Sequence, residues 1–201
     1  GVCLVPTIPA DYITPSTACV LQNRLGLPED TVCFDLNAAC SGFLYAVAVA
    51  RGLLAQNGKK YALIIGCEVL SRLMNMSDRS TCVLFGDGAG AVVLQNSEPS
   101  GCIATCIATQ PNEDFLNMPT PAGNCPFTHR EGAGGYLRMN GQEVYRFAVS
   151  SCVRDLRAVC EKADVSLEEV DWFLLHQANQ RILNAAQTRL KQPKEKFPGN
   201  I

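Results

Sequence analysis

Short runs of β-branched and aliphatic residues alternate along the chain with longer stretches at helical spacing. Thr14 as N-cap, Pro15 at the first helical position, apolar residues through Val20, Leu21 and Leu25, and a stop at Gly26 predict one short helix. Thr31-Val-Cys-Phe-Asp-Leu has the composition and length of a strand. From Ser41 to Leu54 almost every residue is apolar or small, broken mainly by Tyr45 and Arg51, up to the stop signal Asn57-Gly58. A helix without a polar face is predicted to be buried. Tyr61-Ala-Leu-Ile-Ile-Gly and Ala89-Gly-Ala-Val-Val-Leu-Gln read as buried strands. Strand, helix and strand in this order predict an α/β fold whose parallel sheet carries packed helices.

The second half begins without periodicity. Pro111, Pro119, Pro121, Gly123, Pro126 and the glycines at 132–135 mark residues 110–138 as a long irregular segment, a kind that is functional or disordered when it lies inside a compact domain. A helix is predicted from about Asn140 to Lys162, with an apolar stripe through Val144, Ala148, Cys152, Leu156 and Val159 or Cys160. Ser166-Leu-Glu-Glu opens a short helix as a capping box, and Asp171-Trp-Phe-Leu-Leu is a strand that runs into His176. A last helix starts near Asn179, buries Ile182, Leu183, Ala186 and Leu190, and ends before Pro193. No internal repeat is evident, but the parts before and after roughly residue 98 each alternate strand and helix.

Composition narrows the class. Across 201 residues, 47% hydrophobic against 18% charged is the balance of a compact folded protein. A net charge of −2 with scattered Lys and Arg advertises no nucleic-acid surface. No uninterrupted apolar run of ~18 residues and no leader pattern are present, so a cytoplasmic, non-membrane protein is expected. The eleven cysteines are odd in number and irregularly spaced, mostly inside apolar runs, and are read as reduced small hydrophobes. Cys102 and Cys106 form a close pair without a nearby His, so no metal site is expected. The opening Gly1-Val-Cys-Leu-Val and the closing Phe197-Pro-Gly-Asn-Ile read like the ends of an excerpt from a longer polypeptide.

Two residues stand out chemically. Cys40, in Asn37-Ala-Ala-Cys-Ser-Gly-Phe, falls between a strand and the apolar helix, where unpaired backbone N–H groups and the helix dipole favour a thiolate and an oxyanion. Its small neighbours leave room for a carbonyl substrate. The competing reading is one more core cysteine. His176, one of two histidines, stands where a strand gives way to a helix, at the end of a sheet where α/β proteins place their sites. A neutral imidazole there can donate to an enolate or accept a proton, and the competing reading is a satisfied structural histidine. His129, beside Arg130 and Glu131, reads as solvated surface. Phe85-Gly-Asp-Gly-Ala-Gly-Ala is glycine-dense, but it runs from strand to strand without a helix N-terminus or Gly-Lys-Ser, so it reads as a close-packed turn bracing the sheet and not as a phosphate loop.

Asp35-Leu-Asn-Ala-Ala-Cys-Ser-Gly-Phe, Phe85-Gly-Asp-Gly-Ala-Gly-Ala, Met139-Asn-Gly-Gln-Glu-Val-Tyr and His176-Gln-Ala-Asn-Gln-Arg-Ile together resemble β-ketoacyl-acyl-carrier-protein (ACP) synthase III, in order and approximate spacing over essentially the whole chain. The resemblance implies a thiolase-like α/β fold of two similar halves, with mixed, mostly parallel sheets and buried helices. Residues 1–98 would be the remainder of the N-terminal half with the nucleophilic cysteine, and 99–201 an incomplete C-terminal half with the histidine. It also implies an acyltransferase that starts fatty-acid synthesis. An acyl group passes from acyl-CoA to the cysteine and is condensed with malonyl-ACP with loss of carbon dioxide. No cofactor is implied beyond the CoA thioester, which is a substrate, and the family is usually a homodimer.

By position, Cys40 resembles the acylated nucleophile and His176 one of the pair that stabilises the enolate. Arg181 resembles a basic residue at the tunnel mouth that meets carrier protein or CoA, and Arg79 a second basic residue on the CoA side. Asn179, Gly141 and Leu84 line up with the substrate channel. Tyr12-Ile-Thr-Pro-Ser is similar to the segment by which the dimer partner closes the acyl pocket. Thr14 stands where many members have Phe, which implies room for a longer or branched primer. The second enolate-binding residue, an Asn in Gly-Asn-Thr-Ser, would fall beyond Ile201, and Asn200 does not stand in that motif. The opening βαβ region and the closing glycine-rich strands of the family are also missing, so acylation without full condensation is expected. The alternatives are another thiolase-fold enzyme, of polyketide or hydroxymethylglutaryl-CoA type, and a noncatalytic remnant. A cysteine hydrolase is disfavoured because no orienting Asn or Asp partner follows His176.

Overall fold

The computed structural model describes residues 1–119 and 135–201. They form two compact units, Gly1–Gly101 and Cys102–Ile201. His129 and the middle of the proline-rich segment lie outside the described residues.

The first unit is built on β1 (Val2–Pro6), α1 (Thr17–Leu25), β2 (Val32–Leu36), α2 (Gly42–Asn57), β3 (Tyr61–Val69) and β4 (Asp87–Gln95). The sheet order is β2-β1-β3-β4. β1 runs parallel to both neighbours, pairing Val2 with Val32 and with Ala62, while β4 runs antiparallel to β3. The sheet is therefore mixed and mostly parallel, as the family resemblance implied, where strand and helix order alone predicted a parallel one. The inner strand β1 lies in the opening segment, to which sequence pattern assigns no element. All five of its residues are buried, because side chains alternate between two covered faces. Val2 and Leu4 join Ala46, Ala50 and Leu54 of α2, whereas Cys3 and Val5 join Ala18 of α1.

Three expectations for this unit need correction. The cap of α1 is Ser16, whose Oγ accepts from the Cys19 N–H at 3.2 Å, and not Thr14. The Asp35 carboxylate adds to the cap by accepting from the N–H groups of Thr17 (2.7 Å) and Ala18 (2.8 Å). Second, α2 buries one stripe, Gly42, Ala46, Ala50 and Leu54, spaced a turn apart, while Phe43, Leu44 and Val49 stay exposed. Its segment Ala39–Asn57 has the length and mean hydropathy (1.3) of a membrane span, yet its stripe packs as a core helix does. Third, β4, at one edge of the sheet, is exposed along nearly its whole length, with Leu94 alone of its residues half-buried against the core, where its apolar composition predicted a buried strand. The glycine-dense stretch, expected to run from strand to strand, is entered from a turn at residues 81–84 and leads into β4.

The second unit holds the two-stranded ladder of β5 (Leu116–Asn117) and β6 (Arg138–Met139), then α3 (Gly141–Ala163) and α4 (Gln180–Leu190). Asn140 caps α3 by accepting from the Glu143 N–H, and the left-handed Asp164 ends it. On the predicted stripe of α3 only Cys160 is fully buried. Val149 and Ser151 are the other buried positions, and Val144, Ala148, Cys152 and Leu156 are half-buried. The predicted capping box at Ser166 forms its reciprocal bond, Ser166 N–H to Glu169 Oε2 at 2.8 Å, but closes a turn and not a helix. Residues 171–175 are not a strand: among the described residues no strand lies beside them to complete a ladder. The Phe173 N–H instead donates to the Lys196 carbonyl at 2.8 Å, and the rings of Phe173 and Phe197 stack at 4.8 Å. With Leu190 they make the core of this unit. α4 buries Ile182, Leu183, Ala186 and Leu190, the four residues its periodicity named.

Candidate active site

β2 ends at Leu36, and within a few residues the chain turns through a short 3-10 element, Ala39–Ser41, into α2. Asn37 holds the turn by accepting the Ala39 N–H on Oδ1 at 3.2 Å, and Ser41 N–H donates to the Ala38 carbonyl at 3.0 Å. Ala39 takes φ of +45°, an uncommon conformation for a residue with a Cβ. Such strained backbone clusters at functional sites. Cys40 follows it, exposed, two residues before the first turn of α2. Gly42 is required by a close approach, since a Cβ there would lie 2.9 Å from Cβ of Pro6. The elbow is thus seated on the end of β1.

The helix dipole was expected to favour a thiolate at Cys40. The thiol is instead pushed above its ordinary value: desolvation by the surrounding protein leads, Cys40's own backbone N–H opposes it, and the Glu68 carboxylate adds repulsion. Glu68, on β3, accepts the Ile8 N–H on both oxygens (3.2 and 3.1 Å). Burial raises its own carboxyl, with the Ile8 bond opposing. Composition gave no reason to single it out; the available signal was a lone carboxylate at the end of an apolar strand.

The loop that leads to β4 is tied down by its own side chains. Asp78 accepts from the Ser80 N–H and hydroxyl and from the Thr81 hydroxyl, which hold its carboxyl below the usual range. Arg79 sits exposed between Asp78 and Ser80, and Leu84 is exposed at the end of the same loop. In the glycine-dense stretch, Asp87 accepts from the Ser71 N–H at 2.8 Å and the Ser71 hydroxyl at 2.7 Å, so this stretch braces the start of β4 and no helix follows it. Thr14 is exposed ahead of α1.

In the second unit, His176 is followed by a compact bonding pattern. Gln177 donates to the carbonyls of Leu175 (3.0 Å) and Pro198 (3.2 Å) and accepts from the Asn200 N–H (3.2 Å). It ties the residue before His176 to the chain end, a role that its place inside the motif did not disclose. Desolvation lowers the imidazole below its ordinary value, which leaves it uncharged at neutral pH. Asn179 is the N-cap of α4, its Oδ1 accepting from the Arg181 N–H at 2.9 Å, and the Arg181 side chain is exposed on the first turn. Gly141 opens α3, with room for a Cβ at ordinary contact with Met139.

Cys3 and Cys160 are buried thiols, and Cys40 and Cys106 exposed ones. Among the described residues, no group of three or more His, Cys, Asp or Glu is placed to hold a metal ion.

Two family models match the chain: 3-oxoacyl-[acyl-carrier-protein] synthase III over residues 34–111 and its C-terminal counterpart over residues 160–201. A β-ketoacyl-[acyl-carrier-protein] synthase III of Clostridium acetobutylicum is 40% identical over 200 residues, covering 98% of this chain and 61% of the relative. One from Bordetella petrii is 43% identical over 193 residues, covering 96% and 58%. The crystal structure of 3-oxoacyl-[acyl-carrier-protein] synthase III from Aquifex aeolicus matches with a TM-score of 0.86 at 42% identity, over 100% of this chain and 61% of that one. The chain thus spans about three fifths of the length of the proteins it matches. Its α/β architecture is the thiolase-like fold of these neighbours. With both family models met in order, the chain belongs to the 3-oxoacyl-[acyl-carrier-protein] synthase III family.

Proposed function

We propose that this chain carries the acyl-accepting part of a β-ketoacyl-ACP synthase III, an acyltransferase that initiates fatty-acid synthesis, with Cys40 as nucleophile. The observation that carries the reading is the strained, exposed elbow at Ala39 and Cys40 between β2 and α2. The Cys40 sulfur attacks the thioester carbonyl of acyl-CoA, the carbon–sulfur bond to CoA breaks, and the thiol proton leaves with CoA. The result is an acyl-cysteine and free CoA. Malonyl-ACP then loses carbon dioxide, the enolate carbon forms a bond to the acyl carbon, and the bond between that carbon and the Cys40 sulfur breaks, which gives β-ketoacyl-ACP and a Cys40 thiolate that takes a proton from water.

In this reading the uncharged His176 donates an N–H to the enolate oxygen, a role that its lowered proton affinity supports. Arg79, held in a loop tied down by Asp78, meets the phosphates of CoA. Arg181, exposed at the start of α4, meets carrier protein or CoA. Leu84, Gly141 and Asn179 belong to the substrate channel, and Thr14 to the segment that closes the acyl pocket of a homodimer partner. The two units, divided near residue 101, would be parts of the two similar halves of the fold. The reaction uses no cofactor besides the thioester substrates, and the enzyme works in the cytoplasm.

Intact-mass spectrometry after incubation with acetyl-CoA and longer acyl-CoAs tests this. A gain of one acyl group that is absent in Cys40→Ala is expected. A folded chain that gains no mass with any acyl-CoA would sink the proposal in favour of a noncatalytic remnant, and condensation independent of malonyl-ACP would favour another thiolase-fold chemistry.

A further inference from the structure

Glu68 is the acidic residue of β3, and the sheet register explains where its side chain goes. β1 pairs with β3 as Val2 with Ala62, Cys3 with Leu63 and Leu4 with Ile64. Continued, that register would set Ile8 level with Glu68, but the pairing stops at Leu4. On its other side β1 stays paired with β2 through Pro6 and Leu36, and Thr7 N–H still donates to the Leu36 carbonyl at 3.1 Å. The Ile8 N–H is left without a strand partner, and the Glu68 carboxylate takes it with both oxygens. This is the end of the sheet where β2 gives way to the cysteine elbow and where Pro6 supports Gly42.

We propose that Glu68 is a positioning residue for Cys40: its carboxylate locks the end of β1 beneath the elbow and sets one negative charge beside it, so that the reactivity of the cysteine follows the charge of Glu68. The other ionisable groups around the elbow are otherwise engaged or uncharged. Asp35 of β2 is turned to the Thr17 and Ala18 N–H groups, and Asp87 of β4 to Ser71. Arg72, after β3, pairs with Asp11. β1 adds the thiol of Cys3, β3 the thiol of Cys67 and, at its far end, Tyr61, and α2 adds Tyr45 and Arg51; Glu68 is the carboxylate whose repulsion raises the Cys40 thiol. Repulsion from Glu68 favours the neutral thiol and releases it when a substrate carbonyl takes up the developing charge. The inference rests on Cys40 being the acyl acceptor of the proposed function, but its test reads the thiol and not acyl transfer.

The pH dependence of iodoacetamide alkylation, resolved peptide by peptide, should be compared in the unmodified chain, Glu68→Gln and Glu68→Ala. The Gln amide keeps an oxygen for the Ile8 N–H and removes the charge. Its Cys40 midpoint should fall, with alkylation at pH 7.5 faster by roughly two- to tenfold, a unit of pKa being a factor of ten. Cys106, exposed in the other unit, should keep its profile, and buried Cys3 should stay unreactive. Glu68→Ala, which also loses the Ile8 bond, should lower the unfolding temperature more than Gln does. A Cys40 profile unchanged or shifted upward in Glu68→Gln overturns the proposal, as does a Gln variant in which Cys3 becomes reactive. A Cys40 that never acylates but still responds to Glu68 would sink the proposed function and leave this inference standing.

Discussion

Gly42 rests against Pro6: a Cβ added to the first residue of α2 would lie 2.9 Å from Cβ of the last residue of β1. Side-chain carbons do not tolerate that separation, and the ring of Pro6 cannot rotate away. The contact fixes how near α2 starts to the sheet, and with it the height of the Cys40 elbow two residues upstream.

Gly42→Ala should therefore destabilise the fold by about 1–3 kcal/mol, the range typical of overpacking. It should also slow Cys40 acylation more than it slows alkylation of Cys106. Thermal unfolding read by circular dichroism, with acylation kinetics, checks both. An unchanged melting curve would show that the neighbouring backbone gives way freely.

Asp35 bridges β2 to α1 by accepting two N–H groups of the first helical turn. Asp35→Ala leaves these donors without their partner and should cost about 1–3 kcal/mol in urea unfolding, while Asp35→Asn, which keeps one acceptor oxygen, should cost less. Equal stability of all three forms would mean that Ser16 caps the helix unaided.

His176 should titrate below 6.5, since its leading influence is desolvation of the charged form. The folded value is depressed relative to the unfolded one, so its contribution to stability is present above about 6.5 and is lost as pH falls through the folded value. Proton NMR of the imidazole in a His129→Gln variant, which retains His176 as the remaining histidine of two, reads the midpoint directly. A midpoint at or above 6.5 would remove the argument for an uncharged donor in the enolate step.

Thr14 sits exposed in the segment proposed to close a partner's acyl pocket. Thr14→Phe should shift acylation of Cys40 toward acetyl-CoA and slow branched or longer acyl-CoAs, with little effect on unfolding. Competition among acyl-CoAs, read by intact mass, decides it, and an unchanged primer profile would place Thr14 outside the pocket.

Local pattern was enough wherever a residue's neighbours in sequence settle its state. The stop of α2 at Asn57-Gly58, the cap of α3 at Asn140 and the four buried residues of α4 depend on periodicity and cap chemistry inside one element. The motifs around Cys40 and His176 are equally local, which is why the family was legible before any coordinates. Tertiary structure decided what depends on partners distant along the chain. Val2–Pro6 is an inner strand only because β2 and β3 flank it, and the exposure of β4, at one edge of the sheet, was likewise settled in space and not by its apolar composition. Residues 171–175 have strand composition but no described ladder neighbour, so their backbone bonds go elsewhere. Glu68 reaches Ile8 across sixty positions because the β1–β3 register brings them level where the ladder ends, and no short-range pattern encodes that meeting. The sequence by itself determined the fold class, the family and most of the helices, because those depend on periodicity and motif spacing, and it named Cys40 and His176 as the candidates for chemistry. Which faces are covered, and which charge stands beside the Cys40 thiol, followed only from the register of the sheet, because burial and Coulomb repulsion depend on distance in space and not along the chain.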